Sequence, residues 1–212
     1  MSTDNSAPNL PQIENVELSK LRPTQLTVGM LEVKSKRKRL RQLEKRPGEL
    51  VHFVLENPIR VVLGPADKTY VIDHHHLALA LIREDFHNAP MQIEADFSRL
   101  PIRRFWTRMQ RRKFVHPINA RGKKEPVADL PKDLSDLKND PYRALAGFVR
   151  EAGGYRKTVT PFEEFAWADY FRKHIGKKVI RGDFKKALKQ AMTLSRSKTA
   201  ERLPGYLGPS KN

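Results

Sequence analysis

Hydrophobic and polar positions change period several times in the first hundred residues, which predicts alternating helices and strands. Ile59–Leu63 and Thr69–Ile72 are rich in β-branched residues and flank a Gly-Pro turn, so they predict a pair of strands. From Asp73 onward the pattern becomes that of a helix, with apolar residues concentrated over Leu77–Leu81. Another strand is predicted at Met91–Phe97, where apolar and polar residues alternate.

The segment before this set predicts a strand and two helices. Ile13–Leu21 alternates in polarity and favours a short strand, and Thr24–Val33 favours a loop or a second short strand. Lys34–Arg46 is a run of basic residues with two leucines three positions apart, which predicts a basic helix. Glu49–Glu56 predicts a further helix that ends before an Asn-Pro pair.

Beyond residue 100 the pattern predicts helices and no strand. Asp140 followed by Pro141 is typical of an N-cap and the first helical residue. Thr160 and Glu163 have the spacing of a capping box, which predicts the start of another helix. Asp183 is predicted to cap a last helix. The sequence therefore predicts an α+β protein, with an α/β N-terminal half and an all-helical C-terminal half.

These patterns predict four parts of the chain. Residues 1–12 are polar and rich in Ser, Asn and Pro, which is typical of a disordered tail. Residues 13–100 are expected to form the α/β domain and residues 101–203 the helical region. Residues 204–212 are expected to be a flexible tail.

The composition excludes several kinds of chemistry and a membrane-spanning helix. The chain has 212 residues and no cysteine, which excludes disulfides, thiolate metal sites, cysteine nucleophiles and thiol redox reactions. No apolar run approaches the roughly 20 residues of a membrane helix, and the N-terminus lacks the apolar stretch of a secretory signal. We therefore expect a soluble, cytoplasmic protein with no membrane partner.

The net charge indicates a polyanionic partner. Lys and Arg total 41 against 24 acidic residues, a formal charge of +17. We expect DNA to bind through phosphate contacts, which are insensitive to base sequence and weaken with salt. Phe105 and Trp106 beside the second basic run suit stacking on unpaired bases, although core packing of an amphipathic helix explains them equally well. The predicted nucleic-acid contacts are Arg37, Lys38, Arg39, Arg103, Arg104, Arg108, Arg111 and Arg112.

The main candidate site is the string Asp73-His74-His75-His76, where a predicted strand passes into a helix. The start of a helix offers unpaired N–H groups and a positive dipole end to a phosphate. Asp73 could hold Mg²⁺ or orient a nucleophile, whereas a single capping or core histidine needs no ligand. A phosphoesterase of the Asp-His-His class would also need an Asp-x-Asp cluster, which this chain lacks, and three adjacent histidines suit one zinc ion poorly.

Several spaced motifs resemble the ParB-like nuclease family, which has the ParB/sulfiredoxin-like fold. The resemblance runs from Ile13 to Ile175 and rests on motifs in both halves of the chain. They are Arg22-Pro23-Thr24-Gln25, Val28-Gly29, Glu32-Val33, Pro58 to Val62, Tyr70 to Ala80, Asp140-Pro141-Tyr142-Arg143 and Phe162 to Asp169. The resemblance implies a small mixed sheet and a helix whose start holds the phosphates of a nucleotide, ATP, ADP or CTP.

The family pattern ends its strand in Asp/Glu-Gly-His-His/Asn-Arg, and this chain departs from it twice. His74 stands at the glycine and Leu77 at the arginine, so the side chain that reaches a phosphate oxygen is missing. This loss weakens any expectation of the CTP-dependent clamp activity of partition proteins. Lys34 or Arg37 could supply the charge instead. Sulfiredoxin activity is excluded, because it requires a cysteine.

We expect a phosphate-handling enzyme, a nuclease or nucleotide hydrolase, that acts on or near DNA. Its predicted catalytic residues are Glu32, Asp73 and His75, and its predicted phosphate contacts are His74, His75, His76 and Lys34. One alternative is a non-catalytic, partition-like DNA-binding protein. Another is a kinase similar to the free-serine kinases, in which Glu32 would be the general base, although Glu32 could equally pair with the basic run after it. The nucleotide and the oligomeric state stay open.

Overall fold

The computed structural model describes residues 13–209, so the tail predicted at 1–12 lies outside the described residues. Its N-terminal half combines six strands with three helices. In chain order these are β1 (Ile13–Glu17), β2 (Leu21–Pro23), β3 (Thr27–Val28), α1 (Met30–Glu44), α2 (Pro47–Glu56), β4 (Ile59–Gly64), β5 (Lys68–Val71), α3 (His75–Ile82) and β6 (Asn88–Asp96). A turn of 3-10 helix joins β1 to β2.

The second half is mainly helical, as predicted. Its elements are α4 (Ile102–Arg111), β7 (Lys138–Asn139), α5 (Pro141–Glu151), α6 (Glu163–His174), α7 (Lys177–Gly182) and α8 (Phe184–Ser195). The predicted α+β fold class is confirmed. Among the described residues, no helix is both long and apolar enough to span a membrane.

Five strands form one curled mixed sheet in the order β1-β6-β4-β5-β2. β4 and β5 are the predicted antiparallel pair, and β5 also pairs with β2 in parallel, from Leu21 opposite Thr69 to Pro23 opposite Val71. Because parallel strands end at the same edge of a sheet, the residues that follow β2 and β5 lie side by side. This edge positions the candidate site.

Helices cover both faces of the sheet. α1 and α3 pack on one face, where Val33, Leu40 and Leu79 are fully buried with the strand residues. α4 packs on the other face through Phe105 and Met109, which are also fully buried. Burial of these apolar side chains supplies the main stabilisation of this part of the molecule.

A short parallel ladder connects the two halves. β3 pairs with β7, so the chain enters α1 and α5 from adjacent strands. A side chain at Gly29, the N-cap of α1, would come within 2.7 Å of the backbone of Ala144 in α5. Only glycine permits this approach, and it brings the first turns of α1 and α5 together.

Three local predictions need correction. α1 begins at Met30 rather than Lys34, because Gly29 and the two-residue β3 place the helix start earlier. A strand does occur beyond residue 100, namely β7. The capping box is wrong: Glu163 accepts hydrogen bonds from the backbone and hydroxyl of Thr158, at 2.8 and 2.7 Å, rather than pairing with Thr160. By contrast, the caps at Asp140 and Asp183 are confirmed.

The division of the chain into domains at residue 101 stays a proposal. α4 follows that boundary and packs on the sheet, while α5 to α8 form a separate core around Trp167 and Phe171. In the segment predicted as a C-terminal tail, Pro204 accepts a hydrogen bond from Trp167 and Gly205 accepts one from the backbone of Arg156. Any tail therefore begins after these residues, and residues 210–212 lie outside the described part.

Candidate functional site

The starts of α1, α3 and α5 converge at the edge where β2 and β5 end. The backbone N–H of Gly29 donates to His76 Nε2 over 2.9 Å, which links α1 to α3. The backbone N–H of Asp140 donates to Val28 over 2.9 Å, which links α5 to the strand before α1. Three positive helix ends therefore surround one small region.

His75 faces the interior. It is only 2% exposed, and its Nε2 accepts the backbone N–H of Thr24 over 3.2 Å. Because Nε2 accepts, the proton of the neutral ring lies on Nδ1, which is buried and has no hydrogen-bond partner among residues 13–209. Burial lowers the pKa of His75 to about 3, so the ring is neutral at physiological pH.

His76 also faces the interior and is also neutral. Its Nε2 accepts the N–H of Gly29, and burial, together with the charge of Arg143, holds its pKa well below the usual range. Neither ring presents a positive charge to a phosphate. The two histidines hold the backbone at Thr24 and at Gly29, after β2, and so position the site.

Asp73 and His74 form the exposed rim of the junction. Asp73 Oδ1 accepts the backbone N–H of His74 over 2.7 Å, and its Oδ2 lies 3.7 Å from Arg60. His74 has φ 66°, in the left-handed region that favours glycine. Its ring Nδ1 lies 2.9 Å from the carbonyl oxygen of Pro58, which fixes the ring over the start of β4.

Glu32 belongs to a buried network of carboxylates and guanidinium groups. Its Oε1 accepts from Arg143 over 2.9 Å and lies 3.4 Å from His76 Nε2. Arg143 also pairs with Glu164, which in turn pairs with Arg150. Burial raises the pKa of Glu32 to about 7, although the charge of Arg143 opposes the shift.

The network leaves little free space around Glu32. A side chain at Gly147 of α5 would lie 2.5 Å from Glu32 Cδ, and one at Gly29 would lie 2.8 Å from its Oε1. Glu32 is 8% exposed and bound to Arg143. A general base must come within hydrogen-bond reach of the proton it takes, and this arrangement directs the carboxylate toward α5 instead.

Comparison with known proteins identifies the family. A family model described as "Putative ParB-like nuclease" matches residues 14–173, most of the chain. The chain belongs to this ParB-like nuclease family. Membership indicates a nuclease-like or DNA-related role.

A solved structure supports the same fold. The crystal structure of protein Atu1540 from Agrobacterium tumefaciens is similar, with 40% sequence identity and a TM-score of 0.87. The similarity covers 95% of this chain and 100% of the Agrobacterium chain. No curated protein matches the sequence.

The structure of this ParB-like chain shows the surroundings of both departures from the family motif. His74 occupies a position with positive φ, which explains why the motif has glycine there. Arg37 does not stand in for the arginine replaced by Leu77, because it pairs with Glu84 at the far end of α3, over 2.5 Å. Arg143 lies close to these histidines, since its charge adds to the effect of burial in lowering the pKa of both His75 and His76.

Arg143 is the functional candidate that sequence analysis missed. It lies 111 residues from Glu32 along the chain, so no local spacing connects the two. The motif Asp140 to Arg143 contained the residue, but no sequence pattern indicated that it lies beside α3. Lys34, the other predicted phosphate contact, is exposed on α1.

The residues around Asp73 do not fit a protein-held magnesium ion. Among residues 13–209 there is no group of three His, Asp or Glu side chains that could hold a metal. The Asp73 carboxylate has a guanidinium, that of Arg60, as its nearest charged neighbour. We therefore derive no step through a metal bound to Asp73.

The two predicted DNA-contact segments differ in their surroundings. On α1, Arg37 and Arg41 both pair with Glu84, and Arg39 lies over the ring of Phe53. On α4 the predicted contacts are exposed, and no ion pair involves them within the described residues. These predicted contacts are Arg103, Arg104, Arg108, Arg111 and, just after the helix, Arg112. Arg108 and Arg112 lie over the rings of Phe97 and Phe114. The aromatic residues of α4 pack toward the sheet, where Phe105, Trp106 and Tyr70 contact one another.

Proposed function

We propose that this protein binds a nucleotide by its phosphates where β5 passes into α3, and cleaves phosphate esters as a nuclease or nucleotide hydrolase on or near DNA. The observation that carries the proposal is the convergence of three helix starts on a region that contains Arg143 and the unpartnered Nδ1 of His75. The family's nuclease-like or DNA-related role supports it. ATP, ADP and CTP are the candidate nucleotides.

The first turn of α3 supplies the phosphate contacts in this proposal. Ala78 is the first residue of the helix whose N–H finds a backbone acceptor, the carbonyl of His74. The preceding amides, those of His75, His76 and Leu77, are left for a phosphate. Catalysis would rest mostly on positioning and charge stabilisation, since phosphoryl transfer needs little covalent chemistry from the protein.

Asp73 is the carboxylate that we propose orients the nucleophile. It is exposed at the rim, whereas Glu32 and His75 are buried beneath it. We therefore propose Glu32, which the sequence suggested as a catalytic residue, as a positioning residue, and we assign His75, the other suggested residue, no part in proton transfer.

Calorimetry with ATP, ADP, CTP and GTP tests binding, and the matching nucleosides are the control. Saturable binding of a nucleotide without binding of its nucleoside would support recognition through the phosphates. An Asp73→Asn variant should keep this binding and lose at least about 100-fold in cleavage. Asp67→Asn, in the exposed turn between β4 and β5, should leave both unchanged. Absence of both nucleotide binding and cleavage would overturn the proposal.

A second candidate function is non-catalytic DNA binding. The arginines of α4 favour it, because they are exposed and form no ion pair within residues 13–209, and Phe105 and Met109 fix their helix to the sheet. A protein of this kind would keep its DNA affinity in the Asp73→Asn variant and in the presence of a chelator. We do not propose the kinase alternative, because it needs Glu32 to reach a substrate hydroxyl.

A further inference from the structure

Unpartnered polar atoms are concentrated beside the start of α3. Within residues 13–209, six buried side-chain nitrogen or oxygen atoms lack a hydrogen-bond partner. They are Gln25 Oε1, Thr27 Oγ1, His75 Nδ1, His116 Nε2, Arg143 Nε and Arg172 Nε. A buried polar atom without a partner costs about 1–3 kcal/mol, so several together indicate a group that binds there.

Four of these atoms belong to residues joined in one closed series of contacts. His75 accepts from Thr24, and the next residue, Gln25, is bridged to His116. The ring of His116 lies 4.0 Å from that of Phe165, and the guanidinium of Arg143 lies 5.3 Å from the same ring.

The series returns to α3 through the carboxylate network. Arg143 binds Glu32 at 2.9 Å, and Glu32 lies 3.4 Å from His76, the neighbour of His75. The four residues are therefore linked to one another through strands, a loop and the first turns of three helices. We call the set Gln25, His75, His116 and Arg143 the Arg143 cluster.

We propose that the Arg143 cluster binds one tetrahedral oxyanion, the phosphate group of the nucleotide, and that Arg143 takes the place of the missing motif arginine. The inference rests on the proposed function and assigns residues to its phosphate subsite. Arg143 Nε–H and His75 Nδ1–H are donors with no other acceptor. His116 Nε2 can carry a proton, and the Gln25 amide can turn its nitrogen inward.

The charge balance around Arg143 supports an anion. The groups that face Glu32 are Lys36 on its own helix, His76 on α3, Arg143 and Arg150 on α5, and Glu164 on α6. His76 and its neighbour His75 stay neutral, because burial holds their pKa values low. Since the pKa of Glu32 is about 7, protonation of this carboxyl near neutral pH leaves the guanidinium groups in excess.

Sulfate is a suitable probe, because its charge does not change between pH 5.5 and 8.5. Its binding to the full chain can be followed by NMR of the imidazole nitrogens at constant ionic strength. We expect shifts at His75 and His116, and a dissociation constant about tenfold lower at pH 6 than at pH 8, if sulfate binds only when Glu32 is neutral. A Glu32→Gln variant should bind with the tighter constant at both pH values.

Two conservative variants test the contacts themselves. His116→Phe keeps an aromatic ring against Phe165 and removes Nε2, and Gln25→Met keeps the volume and removes the amide. Each should weaken sulfate binding about tenfold, whereas His52→Phe on the exposed face of α2 should not. Unfolding curves identify any variant that fails to fold.

The outcomes separate this inference from the proposed function. If nucleotide binds but sulfate shifts neither histidine, or if both variants bind sulfate like the wild type, the inference is wrong and the proposed function stands. If sulfate binds with the expected pH dependence but no nucleotide binds, the anion subsite stands and the nucleotide function is wrong. A crystal structure determined at saturating sulfate that shows only water at the Arg143 cluster would also contradict the inference.

Discussion

Two sets of arginines in this protein have opposite surroundings. Arg143 is 6% exposed and shared between Glu32 and Glu164, and Arg172 is held by Asp140 and Asp169. The arginines of α4 are exposed and have no carboxylate partner among the described residues. Sequence composition counts both sets equally in the net charge of +17.

The difference shows which guanidinium groups the fold holds with carboxylates, as it does Arg143 and Arg172, and which it leaves exposed to solvent. A buried guanidinium must be paired, because an uncompensated charge in the interior costs several kcal/mol. An exposed arginine contributes little to stability and can neutralise a phosphate instead. Substitutions in the two regions should therefore affect different properties.

The largest effect is expected from removal of a buried arginine. Arg143→Met leaves the carboxylates of Glu32 and Glu164 without their shared partner, and should lower the free energy of unfolding by about 3–5 kcal/mol. Urea denaturation measures it. Arg111→Met on α4 is the control, with an expected change within about 0.5 kcal/mol. Equal effects of the two substitutions would remove the distinction between the regions.

The next effect concerns DNA affinity rather than stability. If α4 contacts DNA as predicted, replacing Arg103, Arg104 and Arg111 by Gln should remove three phosphate contacts, weaken binding roughly 100-fold at 0.15 M salt and reduce the salt slope by about 2.7. Fluorescence anisotropy with a labelled duplex measures both. Replacing Lys177, Lys178 and Lys185 by Gln changes the net charge equally and is the control. A similar loss in the control would mean that total charge, and not α4, determines binding.

Of the two regions, we expect the buried network to make the free energy of unfolding depend on pH. The pKa of Glu32 is raised in the folded state, so the folded protein binds more protons than the unfolded chain between about pH 4.5 and 7. Relative to that of the Glu32→Gln variant, the free energy of unfolding of the wild type should fall by about 1–3 kcal/mol as pH rises through this window. Denaturation at several pH values measures the difference, and a constant difference would contradict the raised pKa.

The smallest effects are expected on α1, which combines features of both regions. Arg37→Gln removes one of two partners of Glu84 and should lower the free energy of unfolding by about 0.5–1 kcal/mol. Because Arg37 is already paired, DNA affinity should fall less than about twofold. A larger loss of affinity would indicate that the proposed DNA interface lies on α1 rather than on α4.

Much of the fold around the site was predictable because its determinants are local. The β4-β5 hairpin follows from β-branched residues around a turn, and the starts of α5 and α8 follow from Asp140 and Asp183. The start of α6 was predicted from the wrong pair of residues. The backbone N–H and the hydroxyl of Thr158, which lies outside the expected spacing, donate to the carboxylate of Glu163. Phe162 takes a left-handed conformation before the helix.

The sequence by itself determined most of the elements, the family and the position of the Asp-His-His-His string at a strand-to-helix junction. It also limited the chemistry, since no cysteine is present. Only the tertiary structure decided that His75 and His76 turn inward, and that Arg143 reaches Glu32 across 111 residues. The reason is physical. Caps and turns depend on neighbouring residues, whereas the charge and direction of a buried side chain depend on whatever the fold packs against it.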